Sequence, residues 1–181
     1  MRRFFLILVF LGLTLNAILV HSQSVTWEKR YINPQAPFRN AINAICESDS
    51  GNYFLVGFSL LPSPINNHKI WVIKINTNGD TLWMKNIGRN GSAGISTVST
   101  NDGGCLLAGS ANEAFTIKLD RDGYILWEKY YGIPGVESRK ITKATDGGYI
   151  ICGYQNIRDG FIYKLDSNGN YKWGNTYKSQ F

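Results

Sequence analysis

The chain has 181 residues, enough for one domain with a real core, and 44% hydrophobic content excludes a disordered polypeptide. Nineteen Gly together with 5 Trp, 10 Tyr and 9 Phe favour β structure with many tight turns. The formal charge of +6 is interspersed with carboxylates and forms no basic stripe, which argues against a nucleic-acid partner.

Residues 1–22 are set apart from the rest. Arg2 and Arg3 precede an apolar run from Phe4 to Val20 and a short polar end. This is the order of a secretory signal peptide, with Val20 and Ser22 small enough to place cleavage before Gln23. Read instead as a membrane span, the run is at the short limit and is interrupted by Asn16. The expectation is a secreted or cell-surface protein whose mature chain starts at Gln23.

From Trp27 onward the chain repeats. "SGNYFLVG" leads to "WVIKINTNGDTLW", "DGGCLLAG" to "FTIKLDRDGYILW", and "DGGYIICG" to "FIYKLDSNGNYKW". The tryptophans that end these stretches are Trp83, Trp127 and Trp173, and "WEKRYI" at Trp27 is related. The spacings are 56, 44 and 46 residues, a period typical of propeller blades. We therefore divide the repeat domain, 23–181, into units at about 27–82, 83–126 and 127–172, with a partial unit at 173–181.

Each unit reads as four strands. In the third unit these are Trp127–Tyr131, Lys140–Thr145, Tyr149–Tyr154 and Phe161–Asp166, with the Trp strand taken as the first. The last strand alternates, so Phe161, Tyr163 and Leu165 share one face. Lys74, Lys118 and Lys164 fall on the opposite face in their units and are expected at solvated positions. The Asp-Gly-Gly turns, through Gly104 and Gly148, and the Asn-Gly or Asp-Gly turns, through Gly123 and Gly169, are assigned to structure. Trp83, Trp127 and Trp173 are assigned to docking one blade on the next. The expected fold is all-β: a β-propeller-like array of four-stranded antiparallel blades, about three blades plus one strand, forming an incomplete ring.

Three cysteines, Cys46, Cys105 and Cys152, fit no metal or redox spacing and read as small buried hydrophobes, with one disulfide left open. The turns at Asp120 and Asp166 look superficially like calcium loops but lack the further oxygen ligands, so no metal and no cofactor is expected.

The motif KLDxxGxxxW resembles the tryptophan-docking repeat of pyrroloquinoline-quinone-type β-propellers. The longer unit, from DGGYIIxG onward, is similar to repeats of secreted propeller-like proteins of Bacteroidetes, some of which carry a type IX secretion sorting domain. The resemblance spans residues 27 to 177 and implies the fold more than an activity. Closed propellers use at least four blades, so it also implies missing C-terminal blades or self-association.

Loops that vary in length on a fixed scaffold are the usual place for recognition. The longest is Ser59–Lys69, where Asn66, Asn67 and His68 offer polar contacts, and it can form a rim with Tyr31–Asn40, including Arg39. No Ser-His-Asp, zinc, phosphate-loop or dinucleotide motif is present, so no catalytic residue is assigned. Glu113, Glu137 and Asp159 are the only carboxylates left for a glycosidase pair. The expected function is a secreted non-catalytic scaffold binding protein or glycan at the cell surface, as part of a longer protein. The alternative is the propeller portion of an extracellular enzyme, carbohydrate-active (endoglucanase-like) or quinoprotein-like.

Overall fold

The computed structural model describes residues 28–36, 39–48, 51–62, 67–132, 135–156 and 158–179. The signal-peptide reading of residues 1–22, the cleavage point at Gln23, Trp27 and Asn66 lie outside the described residues. Among the described residues, twelve strands form three four-stranded antiparallel sheets. The first contains β1 (Arg39–Glu47), β2 (Tyr53–Leu60), β3 (His68–Ile75) and β4 (Thr81–Ile87). The second contains β5 (Ala93–Ser99), β6 (Cys105–Ser110), β7 (Ala114–Leu119) and β8 (Ile125–Tyr130). The third contains β9 (Val136–Lys143), β10 (Tyr149–Gln155), β11 (Asp159–Leu165) and β12 (Tyr171–Tyr177).

Each sheet is a meander in chain order, and β5 packs against the first sheet as β9 packs against the second. The result is a propeller-like array of three blades. One strand assignment differs from the sequence reading. The Trp strand does not open the following sheet but closes its own: Lys74 pairs with Trp83, Lys118 with Trp127 and Lys164 with Trp173. A three-residue hairpin loop with Gly in the left-handed position, as at Gly79, Gly123 and Gly169, leaves a chain no choice but to return along the strand it has just left.

Alternation along the strands builds the interfaces. Phe54, Val56, Ile70 and Val72 of the first sheet meet Cys105, Leu107, Phe115, Ile117 and Leu119 of the second. Leu106, Ala108 and Ala114, on the other side of the second sheet, meet Tyr149, Ile151, Phe161, Tyr163 and Leu165 of the third. The second sheet is thus apolar on both faces, which is why its middle strands read as near-continuous hydrophobic runs.

Three features explain the repeat. A bulge falls at Asn43, Ile95 and Arg139 of the first strands, opposite Gly57, Gly109 and Gly153. There the bulged strand presses the carbonyl of Ala41, Ala93 or Glu137 where a Cβ would stand, so the last Gly of each "xG" is needed for close approach. In the Asp-Gly-Gly turns the positive φ belongs to Gly103 (77°) and Gly147 (81°), not to Gly104 and Gly148. The second glycine instead makes room for the carbonyl of Leu119 or Leu165 and for a lysine ammonium.

That ammonium corrects the expected solvated lysines. Lys74, Lys118 and Lys164 are buried. Lys118 Nζ donates to both oxygens of Asp102 at 2.8 Å, to Thr100 Oγ1 at 2.7 Å and to the Leu119 carbonyl. Lys164 repeats this with Asp146 and the Leu165 carbonyl, and Lys74 Nζ reaches the Arg121 carbonyl of the next sheet at 2.8 Å. The aspartate of each Asp-Gly-Gly turn is therefore the counter-ion of a buried cation.

Trp83 lies against Gly123 of the second sheet and Trp127 against Gly169 of the third, each glycine having φ of 77°. Residues 29–31 make matching bonds on the first sheet, Lys29 to Asp80 at 2.6 Å and Tyr31 Oη to the Gly79 carbonyl at 2.9 Å. Tyr131 does the same to the Gly169 carbonyl at 3.0 Å. Trp173 holds the equivalent place on β12 and is 48% exposed.

Candidate functional site

Strand direction puts the Asp-Gly-Gly and Asn-Gly turns at one end of the array. The β2–β3, β4–β5, β6–β7, β8–β9 and β10–β11 connections lie at the other. At this second end, two of the expected rim residues come together. Arg39 and His68 both stand beside Leu60 in the first sheet, on β1 and β3. The Arg39 guanidinium lies 5.5 Å from the Phe58 ring centre and the His68 ring meets the same ring edge-on at 5.3 Å. Asn67 closes the connection, its carbonyl accepting from the Leu61 N–H at 3.2 Å.

The carboxylates left for a glycosidase pair are engaged elsewhere. Glu113 lies 3.6 Å from Arg89 and accepts the Gly132 N–H at 3.1 Å. Glu137 accepts the Tyr154 hydroxyl at 2.6 Å and pairs with Arg139, which also contacts Tyr154. Asp159 accepts the Ser179 N–H at 3.1 Å. The turn carboxylate of Asp120 accepts the N–H groups of Asp122 and Tyr124, and that of Asp166 those of Asn168 and Asn170. These bonds account for both calcium-like turns as self-capped hairpins.

The site the sequence reading missed lies between the outer strands of the second and third sheets. It is a cleft of about 460 Å³, lined by Tyr130, Tyr131, Tyr163 and Tyr171 with Gly132, Gly174 and Thr176. The tyrosine rings are arranged edge-on: Tyr163 to Tyr171 at 5.5 Å and Tyr163 to Tyr131 at 6.3 Å between centres. The cleft owes its depth to Gly174, where any Cβ would collide with the Tyr163 ring. Every side chain in the lining carries a hydroxyl, and none carries a charge.

The hydroxyls of Tyr130, Tyr131 and Tyr163 stay protonated at neutral pH. Burial pushes Tyr131 up to about 12, against the opposing hydrogen bond from Thr116, and raises Tyr163 with a further contribution from Tyr171. Burial raises Tyr130 too, aided by the Glu128 carboxylate. The Tyr131 hydroxyl is satisfied by Thr116 at 2.6 Å and the Gly169 carbonyl. That of Tyr163 is buried with no hydrogen-bond partner. An orphaned donor in a native interior points to a ligand or a water.

A second depression of about 400 Å³ lies at the turn end, lined by Asp102, Lys118, Lys143, Tyr149 and Ser167 among others. Its Asp102 and Lys118 already satisfy each other. Burial would raise Asp102, but Lys118, Thr100 and the Gly104 N–H outweigh this and hold it at about 2. The tyrosine cleft is therefore the better candidate. Only its Tyr-Tyr pair at 130–131 was visible in sequence, since the other rings arrive from the neighbouring sheet.

No family profile and no curated protein matches the chain. Among solved structures it is similar to a protein of unknown function from Bacteroides caccae, with a TM-score of 0.52 and 17% identity. The likeness covers 77% of this chain and 46% of that one, so the chain spans just under half the length of the protein it matches. At this identity the likeness supports the fold.

Proposed function

We propose that the protein is a secreted, non-catalytic repeat scaffold that binds carbohydrate in the tyrosine cleft. The observation that carries this reading is the uncharged cleft walled by four tyrosines, one of which, Tyr163, keeps a buried hydroxyl with no hydrogen-bond partner. Sugars offer apolar C–H faces to aromatic rings and hydroxyls to lone donors, and the lining supplies both. A glycosidase needs two carboxylates flanking the bond to be cleaved, and the lining has none. The signal-peptide order of residues 1–22 and the resemblance to secreted propellers of Bacteroidetes support an extracellular setting at the cell surface. In this reading the half-exposed Trp173 continues the scaffold by docking on a further sheet, from more of the chain or from a second copy.

The test is a panel of soluble oligosaccharides, titrated by ligand-observed NMR and followed for new reducing ends. Binding that is lost in Tyr171→Ala, with no reducing ends released, is the expected result. Release of reducing ends would favour the carbohydrate-active alternative. No binding by any member would overturn the glycan reading and move the search to a protein partner at the Arg39–His68 rim.

A further inference from the structure

The first sheet carries a cleft of its own. Trp71 on β3 and Asn86 on β4 are cross-strand partners, so their side chains share one face. The turn at residues 33–36 is closed by the Ala36 N–H on the Asn33 carbonyl at 3.0 Å and is tied to that face through Asn86. Between them is a space of about 240 Å³, lined by Trp71, Met84, Asn86, Asn33, Pro34 and Gln35. Lys85 borders it too, but its ammonium donates to the Asp122 carbonyl at 2.7 Å and sits 4.1 Å from the Tyr124 ring centre, both on the second sheet.

The polar groups of this cleft are unevenly used. Every carboxamide oxygen accepts a hydrogen bond: Asn33 Oδ1 from the Gln35 N–H at 3.0 Å, Gln35 Oε1 from Asn86 at 2.9 Å, and Asn86 Oδ1 from Asn33 at 2.9 Å and Ser59 at 2.6 Å. Donors are in surplus. Trp71 is only 2% exposed, yet its indole N–H has no partner. The Gln35 amide nitrogen donates to nothing among the described residues.

We propose that this cleft is a subsite for the acetamido group of an N-acetylated sugar. Its volume lies below the roughly 300–1,000 Å³ of sites that enclose a drug-sized ligand, so it suits one substituent. Spare donors beside engaged acceptors select a ligand that accepts. With the Lys85 ammonium held elsewhere, a carboxylate would be buried without a counter-charge, and a neutral carbonyl oxygen is preferred. The Trp71 ring, Met84 and Pro34 give the methyl group an apolar wall. Gln35, exposed at the rim, offers its amide nitrogen to the hydroxyls of the attached ring. The site stands apart from the tyrosine cleft, which occupies the equivalent wedge of the third sheet: Phe161 pairs with Thr176 there as Trp71 pairs with Asn86 here.

The experiment follows the indole N–H signals of the full chain by NMR, with isotope-labelled tryptophan and the Trp71 signal identified from Trp71→Phe. N-acetylglucosamine should move the Trp71 signal downfield and slow its exchange with water, and glucose should do neither. Met84→Phe, which fills the cleft and keeps the indole, should abolish the response. Gln35→Ala, an exposed change, should raise the midpoint of the titration about three- to tenfold. Because the signal belongs to Trp71, its response does not depend on whether the tyrosine cleft binds. A Trp71 signal that N-acetylglucosamine leaves unmoved, with an Overhauser contact to a long-lived water in its place, overturns the proposal. An equal response to glucose, a stronger one to an acetyl-lysine peptide, or a response that survives Met84→Phe does so too.

Discussion

Replacing Gly123 with Ala tests how the sheets are held together. A Cβ at this position would come within 2.5 Å of Cη2 of Trp83, and the backbone φ is 77°. Two costs follow. Holding Ala in the left-handed region costs about 1 kcal/mol. Displacing Trp83 costs more: a half-buried indole covers roughly 100 Å² of apolar surface here, worth about 2 to 3 kcal/mol. Gly147→Ala separates the two, because it has a φ of 81° and nothing within 4 Å of the added Cβ. We expect a loss of about 3 kcal/mol for Gly123→Ala and about 1 kcal/mol for Gly147→Ala, read from urea midpoints by far-ultraviolet circular dichroism. In a Trp83→Ala background, Gly123→Ala should then cost only about 1 kcal/mol, a coupling of about 2 kcal/mol. Equal losses for the two glycine variants, or additivity of Gly123→Ala with Trp83→Ala, would refute the docking of Trp83 on Gly123.

Other perturbations separate the remaining claims. Asp102 is held at about 2, below the ordinary 3.8, so it contributes stability above pH 4 that is lost as pH falls through 2. Its side chain is 52% exposed, and solvent screening keeps the contribution under about 1 kcal/mol. Asp102→Asn should accordingly flatten the acid limb of a stability-against-pH profile by that amount, and an unchanged profile would deny the Lys118 pairing its energetic role. Tyr163→Phe removes an unpartnered hydroxyl and should leave stability unchanged or raise it by about 0.5 kcal/mol, while weakening oligosaccharide binding; a loss above about 1 kcal/mol would mean the hydroxyl has a protein partner. Trp173→Ala should cost under about 1 kcal/mol, against roughly 2 to 3 for Trp83→Ala, since its ring is half exposed.

Much of the array was legible because it is local. Asp-Gly-Gly and Asn-Gly turns define hairpins within a few residues, and strict alternation in Phe161–Leu165 reports a two-sided sheet. What failed was the phase of the repeat. A repeating text has no natural start, and only the hairpin rule assigns Trp83 to the strand before it. The glycine roles were half right: Gly123 and Gly169 take a positive φ, whereas Gly104 and Gly148 yield space to a carbonyl and an ammonium. That second role involves atoms from β7 and β11, which no local pattern contains. The burial of Lys118 and Lys164 has the same origin, since the cavity that accepts each ammonium is made by the missing side chain of a glycine in the turn before a neighbouring strand. Arg39 and His68 stand on either side of Leu60 in one sheet.

The tyrosine cleft follows from comparing three wedges that the repeat makes equivalent. Met84, Glu128 and Gly174 each follow the Trp of their strand. In the first sheet, Met84 packs on Leu55, Trp71, Ile73 and Ile75, and Asn33 donates to Asn86 at 2.9 Å, which in turn donates to Gln35. That wedge is narrowed to a space of about 240 Å³, and the buried Trp71 indole N–H beside it lacks a hydrogen-bond partner. In the second, the Arg89 guanidinium sits 3.6 Å from the Tyr130 ring centre and pairs with Glu113, so a cation covers the aromatic face. In the third, Gly174 supplies no side chain, and the rings of Tyr131, Tyr163 and Tyr171 remain around an open space. The third wedge is thus the wider of the two that stay open, about 460 Å³ against 240 Å³, and it is the one walled by four tyrosines, which is the reason to look for a ligand there first.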